Sequence, residues 1–253
     1  MGPERGESNA YSSGPAYYAT GSHTRLRDVR AILHPPYTAW HLSYVVIGSL
    51  IASKVNWTTL AGAVVAFFLA VGVAAHALDE LHGSPLGTNI PKKFLVSGAA
   101  LGLLGAVTIG VIGVVRIGPW FAVFIAVGVV LVLAYNLELV DGRLHTDLGF
   151  ALAWGVFPVL AAAYAQDQTL LPSTIFIACS AGFLSAAQRC LSNQARTIRR
   201  RAVSIEGQVV YVNGKKEHIT GSALLAPVES ALRALSWAVI ILAAGLLLVR
   251  LGY

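Results

Sequence analysis

Charge is what this chain has least of. Only 12% of its 253 residues are Asp, Glu, Lys or Arg, and just 12 are acidic, whereas soluble domains carry about a quarter charged residues. With 56% hydrophobic residues and a mean hydropathy of +0.67, the composition is that of a membrane protein. Cysteine is nearly missing too. The two present, Cys179 and Cys190, are too few for a disulfide framework. The opening 24 residues, MGPERGESNAYSSGPAYYATGSHT, contain no apolar run that would form a signal-peptide core. No base-reading motif accompanies the net charge of +6, so that charge points to membrane topology and anionic lipid, and no nucleic-acid partner is expected.

What the sequence does have is long uncharged runs. Asn56 to Ala74 is one, nineteen residues without Asp, Glu, Lys or Arg, and a ~30 Å hydrocarbon core needs about 20 apolar residues in a helix. Spans are predicted near 39–53, 57–75, 94–115, 118–135, 147–165, 171–188 and 231–249, the first being the shortest. The expected fold is all-α, a transmembrane bundle of about seven helices. Lys and Arg concentrate in cytoplasmic loops. With the N-terminus inside, fifteen of the 18 fall on the cytoplasmic side and only Lys54, Arg116 and Arg250 on the other. The expectation is an integral protein of the plasma membrane with a cytoplasmic N-terminus and membrane lipids as partners. Residues 1–30, whose first part is rich in Gly, Ser and Tyr, read as a disordered cytoplasmic tail, and 31–253 as the helical domain. Within it, 189–230 reads as a basic cytoplasmic loop whose first part is amphipathic. In QVVYVNGKKEHI, Asn213-Gly214 between two β-prone runs predicts a small hairpin over 208–219.

The remaining polar residues gather in loops on that same side. AAHALDELHGSPLGTNIPKK, residues 74–93, places His76, Asp79, Glu80 and His82 within seven positions. If the helix continues through residue 80, positions 76, 79 and 80 share a face. Ionisable groups at this depth are costly, so they face a cavity or one another. A carboxylate pair beside basic residues suits Mg²⁺ bridging to phosphate oxygens, with Asp79 and Glu80 as ligands and His76 beside them. The alternatives are solvated carboxylates paired with Lys92 or Lys93, and a transition-metal site drawn from His76, Glu80, His82, His145 and Asp147.

Three stretches resemble the UbiA superfamily of intramembrane prenyltransferases: LHPPYTAWHLSYVVIGSLIA (33–52), AAHALDELHGSPLGTNIPKKFLVSGAALGLLG (74–105) and LVLAYNLELVDGRLHTDLGFALAWGVFPVLAAAYAQ (131–166). The first is similar to the family's proline-led entry into its opening span. The second resembles its first acidic loop followed by a threonine-basic-proline stretch, and the third its tyrosine-led loop and the Gly-x-x-x-Pro helix, here Gly155 to Pro158. The chain is identified as a shortened, divergent member. Two departures stand out: AAQRCLSNQARTIRRR, where the family carries a second acidic motif, has no carboxylate, and seven spans stand where nine are usual.

The resemblance implies an enzyme that moves or rearranges a polyprenyl group from its diphosphate to a lipid-soluble acceptor. Asp79 and Glu80 would hold Mg²⁺, His76 would stand where the family has a leading Asn, and Lys92, Lys93, Tyr135, Asn136, Arg143, Arg189 and Arg196 would bind substrate. Guanidinium forks among the arginines of 189–201 neutralise phosphate directly in a variant of this reading. The alternative function is a non-catalytic isoprenoid- or quinone-binding protein that lost the second acidic motif.

Overall fold

The computed structural model describes Tyr17, Tyr18 and residues 24–253. It is 75% helical. The chain forms α1 (Arg25–Leu33), α2 (Pro35–Leu50), α3 (Trp57–Leu81), α4 (Lys92–Ile117), α5 (Phe121–Asn136), α6 (Asp147–Asp167), α7 (Pro172–Arg201) and α8 (Gly221–Leu251). A two-stranded antiparallel hairpin, β1 (Gln208–Val210) and β2 (Lys216–His218), lies between the last two helices.

Local chemistry explains the starts. Thr24, Asn56, Thr146 and Thr220 each accept a hydrogen bond from the backbone N–H three residues on, and so cap α1, α3, α6 and α8. Pro35 and Pro172 open α2 and α7, where a missing N–H costs nothing. Between α1 and α2, His34 sits at φ 43°, outside the right-handed helical region that a following proline disfavours.

Five helices, α3, α4, α6, α7 and α8, are long and apolar enough to cross a membrane. Phe176, Phe183, Trp237 and Ile241 project outward from α7 and α8, as lipid-facing side chains would. The expected spans near 39–53 and 118–135 fall on α2 and α5, each 16 residues long, or about 24 Å, so the structure establishes five of the seven by length. The most apolar window of α6 is 56% buried, against 17% for α4. Helix α6 is therefore the hub. Trp40, Tyr44 and Ile47 of α2 meet Val159 of α6, Ala178 and Ala181 of α7, and Val239 and Ala243 of α8 in one core.

Glycines set the closest approaches. A Cβ at Gly48 would lie 2.5 Å from the Val159 carbonyl, and one at Gly155 would lie 2.7 Å from the Ala181 carbonyl. At the end of the bundle away from the acidic loop, Asp167 accepts from Ser53, Gln166 bonds the Asn56 backbone, and Arg250 donates to the carbonyls of Leu50 and Ala52. That end is closed by carbonyl capping.

Three expectations need correction. Residues 25–30, expected in the disordered tail, belong to α1; positions 1–16 and 19–23 of that tail lie outside the described residues. Residues 189–201, expected in a loop, continue α7, and 221–230 begin α8. Both extensions are held by burial: Gln188, Arg189, Ser192, Ala195 and Ile198 face inward, and Arg199 pairs with Glu229 at 2.5 Å. The hairpin forms as expected, with Gln208 opposite His218 and Gly214 at φ 79° in its turn.

Candidate functional site

Two helices carry a widened, π-helical stretch in their middle, Phe68–Ala75 in α3 and Leu152–Val156 in α6. Such bulges tilt carbonyls out of the regular ladder and are frequent at functional sites. Each bulge here has a carbonyl bonded to a histidine: His76 Nδ1 lies 3.3 Å from the Gly72 carbonyl and His41 Nδ1 lies 2.9 Å from the Trp154 carbonyl. A carbonyl can only accept, so Nδ1 carries the proton in both rings and Nε2 is left as an acceptor. A third ring follows the same rule, since His145 Nδ1 is 3.1 Å from the Tyr135 carbonyl.

These histidines line one cavity of about 310 Å³. Its wall includes Asp79 at the end of α3, Tyr135 and Asn136 at the end of α5, and Gln188, Arg189, Ser192, Arg196 and Arg200 along the extension of α7. Asp79 faces Arg196 and Arg200 electrostatically, so one buried carboxylate stands against a guanidinium cluster. Arg189 pairs with Asp147 at 3.0 Å and lies over the rings of Tyr135 and Phe150. His145 stacks on Tyr135 with ring centroids 4.5 Å apart. Arg196 hydrogen-bonds the Asn193 side chain. A wall built this way, from guanidiniums, a phenol and imidazole rings, suits an anionic oxygen-rich group.

His34 closes the wall at the α1–α2 junction, where the Tyr18 hydroxyl bonds its Nδ1 and its ring lies 4.6 Å from that of His76. Burial, and then the neighbouring His76, Arg200 and Arg196, hold the His34 imidazole well below the usual 6.5.

A second cavity, of about 100 Å³, lies deeper between α3, α4, α5 and α6. Phe67, Leu103, Phe121, Phe124, Val132 and Phe157 are among its almost wholly apolar lining. Val71 and Trp154 belong to both walls. A polar head chamber and an apolar tail chamber therefore adjoin.

Of the residues singled out from sequence, His76, Asp79, Tyr135, Asn136, Arg189 and Arg196 come together here. Glu80 does not. It is buried, and its carboxylate accepts from the backbone N–H groups of Leu86 and Thr88 and from the Thr88 hydroxyl, at 2.8 to 2.9 Å. Lys92 and Lys93 are exposed at the start of α4, Arg143 is exposed in the 137–146 loop, and none of the three lines the cavity. Sequence reading missed Gln188 and Arg200 as cavity residues because it placed 189–201 in a loop. Read as a helix, positions 188, 192, 196 and 200 fall on one face, and that periodicity was the available signal. His41, expected among lipid headgroups, is instead buried in the wall.

The expected Mg²⁺ was tested against the donors in place. Among the described residues no group of three or more His, Cys, Asp or Glu side chains is arranged to hold a metal ion. Glu80 is committed to its loop, Glu229 to Arg199, and Glu138 lies 3.8 to 3.9 Å from His82 and His145. The donor set does not fit a carboxylate-held metal cluster, and it does not assemble the five-residue transition-metal site either. No family profile, curated protein or solved structure matches the chain.

Proposed function

We propose that this is an integral membrane protein of the prenyltransferase kind, which seats an isoprenoid diphosphate with its head in the arginine-lined cavity and its chain in the adjoining apolar one. The observation that carries this reading is the shared wall at Val71 and Trp154, joining a polar, cation-rich chamber to an apolar one. An amphipathic anion has that division of chemistry. The UbiA-like order of motifs in the sequence supports the same reading.

In this account all seven helical rods cross the membrane, with the N-terminus and the cavity mouth on the cytoplasmic side, where the basic residues concentrate. Arg189, Arg196 and Arg200 neutralise the head group in place of a metal cluster. For transfer, the allylic C–O bond breaks with its electron pair leaving on the diphosphate, which the guanidiniums stabilise. An electron pair of the acceptor then captures the allylic cation. The acceptor's displaced proton goes to Nε2 of His76, which is free to take it because Nδ1–H is committed to the Gly72 carbonyl.

Incubating the purified protein in lipid nanodiscs with radiolabelled geranyl, farnesyl and geranylgeranyl diphosphates and a membrane lipid extract tests the reaction. The expected outcome is diphosphate release coupled to a new labelled lipid, lost in Arg196→Gln. Tight diphosphate binding without release would instead favour the non-catalytic isoprenoid-binding reading.

A further inference from the structure

Two buried polar atoms on the cavity wall have no partner. Tyr135 is 5% exposed and Gln188 is 4% exposed, and the Tyr135 hydroxyl and Gln188 Oε1 make no hydrogen bond. The rest of each residue is fixed. Tyr135 is clamped between the His145 ring and Arg189, and Gln188 bonds the Tyr37 hydroxyl through its amide. Neither side chain can therefore swing toward protein to satisfy the open atom. Buried polar groups are paired in folded proteins with few exceptions, and both exceptions here line the same chamber.

The two atoms ask for different things. Gln188 Oε1 can only accept, while the Tyr135 hydroxyl can donate or accept. We infer that these atoms form a neutral subsite beside the arginine cluster, and that it takes a hydroxyl-bearing organic group, an alcohol or a phenol, as the second ligand of the cavity. Such a group donates its hydrogen to Gln188 and offers its lone pairs to Tyr135. A quinone carbonyl has lone pairs only, so it would leave Gln188 Oε1 unpaired. The subsite is thus selective for the hydroxyl form over the carbonyl form, because a site built around an O–H rejects analogues that lack it. An anionic head group is no substitute, since a phosphate oxygen would face an acceptor at Gln188.

The inference rests on the reading of the cavity as a ligand chamber, and the experiment separates the two. Titration calorimetry on the purified protein in nanodiscs compares 4-hexylphenol with its methyl ether, 4-hexylanisole, each with and without farnesyl diphosphate. Wild type is expected to bind the phenol about tenfold more tightly than the ether, the cost of leaving a buried acceptor unpaired. Gln188→Leu should bring the two affinities within about twofold by removing that acceptor. Tyr135→Phe should weaken both probes alike, because either oxygen accepts from the phenol of Tyr135. Equal affinity of wild type for the two probes would overturn the inference without needing any variant, and so would a ratio left unchanged by Gln188→Leu. If the phenol preference holds while farnesyl diphosphate does not bind, the diphosphate reading falls and the hydroxyl subsite stands.

Discussion

Asp79 and Glu80 are sequence neighbours with opposite employment, and the difference follows from where each carboxylate finds its partners. Glu80 accepts from Leu86, Thr88 N–H and Thr88 Oγ1 and so shapes the turn after α3. Glu80→Gln removes the charge and one acceptor. It should cost about 2 kcal/mol in thermal unfolding and leave farnesyl diphosphate affinity unchanged. Asp79→Asn should do the reverse: little change in stability, and a roughly three- to tenfold tighter grip on the diphosphate in EDTA, because the carboxylate facing Arg196 and Arg200 no longer competes with the ligand. His34 makes a separate, pH-dependent contribution. Its folded-state value lies below the unfolded 6.5, so its contribution is fully present above that value and is lost as pH falls below it. The melting temperature should be flat above neutrality and fall in acid. His34→Asn, which tolerates the left-handed backbone at φ 43°, should fall less steeply. An unaltered slope in that variant would remove His34 from the account. The sequence made Asp79 visible as a candidate, but it offered no means of telling the two carboxylates apart, since the partners of Glu80 are mostly backbone N–H groups.

At the scale of the element, the apolar runs announced the helices, and Asn213-Gly214 announced the hairpin, because both signals are local. The extension of α7 was hidden by its own polarity. Gln188, Arg189 and Arg196 read as loop until the face they share is packed against neighbouring helices. The two π-helical stretches were equally silent, since no residue type demands them and the histidines that cap their carbonyls come from the folded context. Close packing beside the bulge in α6 gives a sharp test. Gly155→Ala would bring a Cβ to 2.7 Å from the Ala181 carbonyl and 2.8 Å from Ser185 Oγ, one turn before Gln188 on α7. It should cost about 1–3 kcal/mol and weaken ligand binding as well. A variant with unchanged melting and affinity would show that α6 and α7 have slack there.

The whole molecule is organised by its two ends, one sealed through Asp167, Gln166 and Arg250, the other opened by the cavity. If all seven rods cross, single cysteines at Trp120, Arg143 and Asn213, introduced after Cys179→Ala and Cys190→Ser, should report two sides. Arg143 and Asn213 should be labelled by a membrane-impermeant maleimide only from the cytoplasmic face, and Trp120 only from the other. Labelling of Trp120 and Arg143 from the same face would mean that the 16-residue α5 does not cross. The central claim, a diphosphate head held by guanidiniums, is tested most directly by the affinity of the purified protein for farnesyl diphosphate in EDTA and in Mg²⁺. The account predicts binding in EDTA that Arg196→Gln and Arg200→Gln each weaken by about tenfold or more. Binding that appears only with Mg²⁺ and is indifferent to both arginines would contradict it.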